Sequence, residues 1–405
     1  MFVVTFIKKI QPYNIMQVIL FDQPDFHQQL LPLTYTRPIS ELRIGIITIK
    51  EKWEKRLNTS IAYLTADYLS TKYPLVVDTD NLLINASVVA NDQITTEIQS
   101  IGLNQVLVKD GVVIAARLLA ANVRDFDMAS SFKGERIESK SDFILVNRPW
   151  HIFEHNGTAL QEDFDYLTAG RTSQPISDTN RVAGAENIFL EAGASVEFSI
   201  LNATTGPIYV GKNAQIMENS TVRGSLAMNE SSVLKMGAKI YGPTTLGPHC
   251  KVGGEVSNSV LTGYSNKGHE GYLGNSVLGE WCNLGADTNT SNLKNNYQPV
   301  KLWNYSTGRF ADTGLQFCGL IMGDHSKCGI NTMFNTGTVV GVSANIYGAG
   351  FPRNYIPSYS WGGASGFTTY RFDKAMETAK VMMARRKKEL DEVELAILKY
   401  TFDNK

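Results

Sequence analysis

The sequence predicts two folds in series: a mixed α/β domain, then a three-sided parallel β-solenoid, with a helical tail. Three observations carry this. From residue 210 an apolar side chain returns every six positions. Most of the 34 glycines lie after residue 180. Before residue 165 the pattern changes to short apolar strands mixed with amphipathic helices.

In the first half, Met16–Asp22, Ile61–Leu64, Leu82–Asn85, Gln105–Lys109 and Val112–Ala116 read as strands. Glu41–Leu57 reads as a helix, because Leu42, Ile46, Ile49 and Trp53 recur at steps of three or four. Trp150–Leu167 reads as a second helix, with Ile152, Phe153, Leu160, Phe164 and Leu167 inward. Strands mixed with helices imply a central sheet over residues 16–167. Residues 168–187 are polar and turn-rich and read as a linker. Met16 opens a clean strand, so residues 1–15 read as an upstream extension. Lys8 and Lys9 follow the first apolar stretch, the reverse of an export signal.

The solenoid is predicted over residues 188–366. Val210, Ile216, Val222, Met228, Leu234, Ile240, Leu246 and Val252 form one unbroken run. Leu278 and Leu284 form a second, and Met322, Cys328, Phe334, Val340 and Ile346 a third. Six is neither the helical period nor simple alternation. It fits a triangular prism in which each hexad makes one short strand and turns one corner, the left-handed parallel β-helix. The aliphatic residue points inward and stacks on its equivalent one coil away. The small residue four places later lies on the same strand face, so Ser220, Cys250 and Cys282 also point inward. Cys250, Cys282 and Cys328 are thus expected as core fillers. Residues 351–366, rich in aromatics, proline and glycine, read as the cap, with Trp361 as a plug. Residues 367–405 read as one or two helices. Within them Arg385 and Arg386 lie on a basic stretch read as a solvated face.

Composition narrows the function. Net charge is −1 and pI about 6.6, which gives no electrostatic case for nucleic acid or an anionic membrane. No apolar run approaches the roughly 18 residues of a membrane span. The four cysteines show no ligand spacing, so no metal site and a reducing, cytoplasmic setting are expected.

Several motifs carry a family likeness. LLPLTYTRP (Leu30–Pro38) resembles the segment after the phosphate loop of sugar-1-phosphate nucleotidyltransferases. PWHIFEHNGTALQEDF (Pro149–Phe164) resembles the helix leading into a hexapeptide β-helix. SNKGHEGYLG (Ser265–Gly274) resembles a catalytic loop, and NLGADTNTSN (Asn283–Asn292) the asparagine-rich motif that follows it. With the repeat, the chain resembles the bifunctional GlmU-type family, which joins a uridylyltransferase domain to a glucosamine-1-phosphate acetyltransferase β-helix.

The resemblance implies acetyl-CoA as cosubstrate, a sugar phosphate or nucleotide sugar as acceptor, and a homotrimer. On the motif match His269 is the general base. Tyr272, Asn283 and Lys267 fall on acceptor-binding places, and Ala286, Asn292 and Lys294 on acetyl-CoA-binding ones. Lys239 and Lys251 stand near the places of the family's phosphate-clasping Arg and Lys. The nucleotidyl motif departs from the family's pattern. Phe21–Gln29 (FDQPDFHQQ) has no glycine where a Gly-rich loop would hold phosphates, and Ile39 stands where a lysine follows Arg-Pro. Arg37 remains as a candidate phosphate contact, and Mg2+ is expected only if this domain is active. Three readings follow: an acyltransferase with or without nucleotidyl transfer, a nucleotidyltransferase on a structural β-helix, and a non-catalytic sugar-nucleotide-binding protein.

Overall fold

The computed structural model describes residues 16–123, 126 and 134–405, so the predicted extension 1–15 lies outside the described residues. The first domain is built on a six-stranded sheet. Its spatial order is Ile61–Leu64, Gln17–Phe21, Asp80–Asn85, Val112–Leu119, Gln105–Lys109, Glu135–Glu138. The first three strands are parallel, and Val112–Leu119 runs antiparallel to both of its neighbours. Ile19, Phe21 and Leu83 pack one face, and Val18, Leu20, Leu82 and Ile84 the other.

The helix expected over residues 41–57 is shorter, Ile49–Leu57. Upstream, the backbone amides of Gly45 and Ile46 donate to the Asn156 and Asp163 side chains instead of to a helix ladder. Gly45 has φ +73°, and a Cβ there would lie 2.6 Å from the Ala159 carbonyl oxygen. Thr48 then starts the helix with a capping box to Glu51. The predicted Trp150–Leu167 helix is two, His151–Glu154 and Asn156–Thr168. Asn156 is fully buried at the break, and its amide donates to the Pro243 carbonyl of the solenoid.

The second domain is a solenoid of three sheets, two of them all parallel. One sheet has nine strands, from Ile188–Leu190 to Tyr355–Ile356, one from each coil. The expected inward residues Val210, Ile216, Val222, Met228, Leu234, Ile240, Leu246 and Val252 are all buried. So are Ser220, Cys250, Cys282 and Cys328. The first solenoid strand, Arg181–Ala183, lies inside the stretch read as linker.

After Val252 the period slips. The corner Gly253–Gly254 holds two residues, and the next inward positions are Val256, Leu261, Lys267 and Leu273. The coils then run to Thr290, where the chain leaves the prism before rejoining it at Leu320–Met322. This excursion carries a hairpin, Lys301–Asn304 with Arg309–Asp312.

The α/β domain sits directly on the nine-stranded sheet. Outward residues Val260, Val277, Ile321 and Val339 belong to one buried cluster with Ile39, Leu42 and Ile44. That solenoid face is therefore covered by the chain itself. The tail forms two helices, Phe372–Ala384 and Glu392–Asp403. They fold back over a corner where His249, Tyr264, Trp281 and His325 stack coil upon coil, with ring centroids 5.0, 4.3 and 6.3 Å apart. Tyr400 continues onto the first domain, stacking 3.9 Å from Tyr68.

His325 is 9% exposed, because the ladder and tail bury its corner. Trp361 is 37% exposed and is no plug. An antiparallel pair, Ser360–Gly363 with Gly366–Thr369, closes that end.

Candidate active site

The site starts from the hexad itself. The residue before each inward aliphatic points outward, so one face of the solenoid carries Lys251, Asn266, Asn283 and Lys327 in register, coil above coil. The helix Phe372–Ala384 ends above this face and delivers Arg385 and Arg386. Between them lies a cleft of about 890 Å3. His269, Asn283 and Ala286 line it, with Lys235, Lys251, Lys327, Arg385 and Arg386. Among the described residues no carboxylate lines it.

Electrostatics follow from that crowding. The Lys251 ammonium titrates below its usual range, through loss of water and then through Arg386, Lys235 and Arg385. Burial pushes Lys327 down to about 8, and its Nζ donates to the His325 carbonyl at 2.7 Å. A face on which like charges are driven together in partly dry surroundings favours a polyanion.

His269 is exposed on the loop 268–271. Gly254 lets that loop come close: at φ +70°, a Cβ on it would lie 2.8 Å from the His269 carbonyl oxygen. The same oxygen accepts from Lys267 Nζ at 2.5 Å. Lys267 itself is 1% exposed. It takes an aliphatic's place inside the prism, in register between Val252 and the coil of Leu284. Lys267, read as acceptor-binding, therefore has no surface to offer an acceptor. The short Gly253–Gly254 corner and the five-residue step from Val256 to Leu261 together shift it inward, and its contact with the site is through the backbone of His269.

The remaining expected residues are separated. Tyr272 and Asn292 meet on another face, where Asn292 Nδ2 donates to Tyr272 Oη at 3.0 Å and to Asn275 at 2.8 Å. Lys294 donates to the Pro299 carbonyl at 2.7 Å and lines a different groove, beside Trp303 and Tyr355. Lys239 is exposed and pairs with Glu270 at 3.2 Å. Lys235, Lys327, Arg385 and Arg386 complete the cleft without having been read as site residues. Lys327 was detectable, since it precedes Cys328 in the repeat as Lys251 precedes Val252.

Arg37 is not free for a phosphate. It is 6% exposed, pairs with Asp324 of the solenoid, and lies 3.4 Å from Glu280. Those carboxylates outweigh its desolvation and hold its guanidinium charged. The phosphate-loop position is also filled. Pro24–Gln29 is a short helix, and the Asp22 carboxylate accepts from the Ile39 amide at 3.0 Å and from Thr65 at 2.6 Å. A carboxylate there repels a phosphate, and among the described residues no His/Cys/Asp/Glu group is arranged to hold a metal ion. The residues present do not fit a Mg2+-nucleotide site.

Comparison with known proteins agrees with this two-part plan. Residues 18–172 match the family model described as sugar nucleotidyl transferase. A bifunctional sugar-1-phosphate nucleotidylyltransferase/acetyltransferase of Sulfurisphaera tokodaii is 27% identical, over 54% of this chain and 48% of the relative. Parts of the chain are thus similar to a sugar nucleotidyl transferase model and to bifunctional GlmU-type proteins. The bifunctional protein GlmU of Methanocaldococcus jannaschii is 38% identical over 22% of this chain and 21% of its own. That of Rippkaea orientalis is 27% identical over 56% and 45%. The chain spans about half the length, or less, of these curated relatives. Among solved structures, a UDP-N-acetylglucosamine acyltransferase from Bacteroides fragilis has TM-score 0.26 and 13% identity, covering 51% of this chain and 78% of that one.

Proposed function

We propose that this chain is an acetyl-CoA-dependent acyltransferase acting on a sugar phosphate or nucleotide sugar, in the cytoplasm. One observation carries the reading: among the described residues, five cations and no carboxylate line a cleft that also holds His269. Acetyl-CoA and a phosphorylated sugar are both polyanions, and the cleft has charge for either.

In this reading the His269 imidazole takes the proton from an acceptor amine or hydroxyl as it attacks the thioester carbonyl. The tetrahedral intermediate collapses with loss of the CoA thiolate. Asn283 positions the acceptor, and the backbone at Ala286 lies along the acetyl group. Arg385, Arg386 and Lys251 hold phosphates. Tyr272, Asn292 and Lys294 lie away from His269 on the same chain. They join it across a subunit boundary in a homotrimer, with a neighbour's face completing each cleft. Nucleotidyl transfer is no part of the proposal, because Asp22 and the Pro24–Gln29 helix occupy the phosphate-loop position.

The test is CoA release from acetyl-CoA against a panel of amino-sugar phosphates and nucleotide sugars. Release should depend on one acceptor class and fall by about 10²–10⁴ in His269→Ala. Unchanged turnover in that variant refutes the base. No release with any acceptor moves the assignment to a sugar-nucleotide-binding protein.

A further inference from the structure

A second cavity, of about 330 Å3, lies where the α/β domain, the solenoid and the tail meet. Its charges do not balance. Four cations line it, Arg37, Arg43, Lys50 and Lys72. Six carboxylates face them, Glu41, Glu51, Glu54, Glu280, Asp324 and Glu394. Pairing accounts for the cations: Arg37 with Asp324 and Glu280, Lys50 with Glu54 at 3.1 Å, Lys72 with Glu394 at 2.8 Å. Arg43 lies 3.9 Å from Glu51 and donates to the Thr262 carbonyl. Two carboxylates remain in surplus. His325 does not offset them, since burial keeps its ring neutral, with its pKa pushed down to about 3.

The cavity also has open hydrogen-bonding capacity. Arg37 Nε and His325 Nδ1 are buried and have no hydrogen-bond partner among the described residues. Both residues line the space, beside Thr36 and Thr262. Unsatisfied buried donors and acceptors are costly, so such a place takes a ligand rich in groups that both give and accept. Trp281, stacked between Tyr264 and His325, also lines the space. Hydroxyls meeting charged side chains is the chemistry that holds a sugar, and the volume suits a single ring.

We propose that the junction cavity binds a monosaccharide bearing one protonated amine and no phosphate. The amine meets Glu41, which accepts from Tyr63, and Glu280, which shares the Arg37 charge with Asp324; the hydroxyls satisfy Arg37 Nε and His325 Nδ1, and a phosphate is repelled. This site is separate from the His269 cleft and shares one wall with it: Trp281 lines both. Occupancy is therefore felt at the cleft through the stack Tyr264–Trp281–His325.

The experiment is titration calorimetry of the full chain with glucosamine, glucose and glucose 6-phosphate, without acetyl-CoA. Glucosamine should bind at least about tenfold more tightly than glucose, and glucose 6-phosphate more weakly than either. Glu280→Gln removes one surplus charge and should abolish the glucosamine preference. Glucosamine should also change tryptophan fluorescence in the wild type but not in Trp281→Phe, while the binding heat persists. A water-filled cavity, giving no heat with any of the three, overturns the proposal. So does tighter binding of the phosphate, or an unchanged preference in Glu280→Gln. None of these readouts uses CoA release, so failure of the acyltransferase reading leaves this test intact.

Discussion

Lys267→Met should stabilise the protein while impairing the site above it. Lys267 is 1% exposed within an otherwise apolar column, and its Nζ donates to the His269 carbonyl at 2.5 Å. Loss of water pushes its pKa from 10.5 to about 8, against the pull of Glu270 and Asp287 and with the push of Lys239. A drop of that size is a penalty of about 3 kcal/mol on the charged form. Met fills nearly the same volume without charge. Loss of the hydrogen bond returns about 1 kcal/mol, since the exposed loop lets water reach the freed carbonyl. A net gain of about 2 kcal/mol at pH 7 results.

The sign with pH is definite. Between pH 8 and 10.5 the unfolded chain holds the proton that the folded chain has released, so wild-type stability rises with pH across that window. The variant lacks that rise, and the gap between the two narrows towards pH 10. Urea unfolding at pH 7 and pH 10 measures both effects. A Met variant less stable than wild type at pH 7, or one with the same pH slope, refutes the buried-cation argument. In the CoA-release assay the same variant should lose turnover, because the loop carrying His269 loses its anchor.

Three further outcomes follow from burial. Val340→Asp places a charge at a fully buried inward position between Met322 and Ile356, which should cost more than about 4 kcal/mol and abolish cooperative unfolding. Retention of native circular dichroism and melting would refute the inward assignment. Asp163→Asn strands the buried Lys52 ammonium and weakens the acceptor of the Ile46 amide, so urea unfolding should show a loss of about 3–5 kcal/mol. For His325, whose folded pKa is pushed from 6.5 to about 3, stability is full above pH 6.5. It falls as pH drops towards 3, by up to about 1.4 kcal/mol per pH unit. The ring is faced by Lys327, Glu280, Arg37 and Lys72, and His325→Gln should flatten the acid limb of a melting-temperature profile.

The solenoid was legible because its rule is local. An inward aliphatic every six residues specifies the prism, its core cysteines and the outward place of Lys251. The His269 loop and the glycine-free Phe21–Gln29 stretch were legible as motifs for the same reason. Long-range contacts were not. Arg37 reads as a phosphate contact until Asp324, 287 residues away, is placed against it. Arg385 and Arg386 read as a solvated face until the tail folds back over the cleft. Glu41–Leu57 has helical spacing throughout, yet side chains from the 156–168 helix capture the Gly45 and Ile46 amides. Lys267 moves inward because two successive steps, Val252 to Val256 and Val256 to Leu261, fall short of six residues. Period and propensity act over a few residues, and the sequence carries them openly. Which charges meet, which solenoid face is covered and which lysine is dehydrated depend on surfaces that come together only when the three parts of the chain pack.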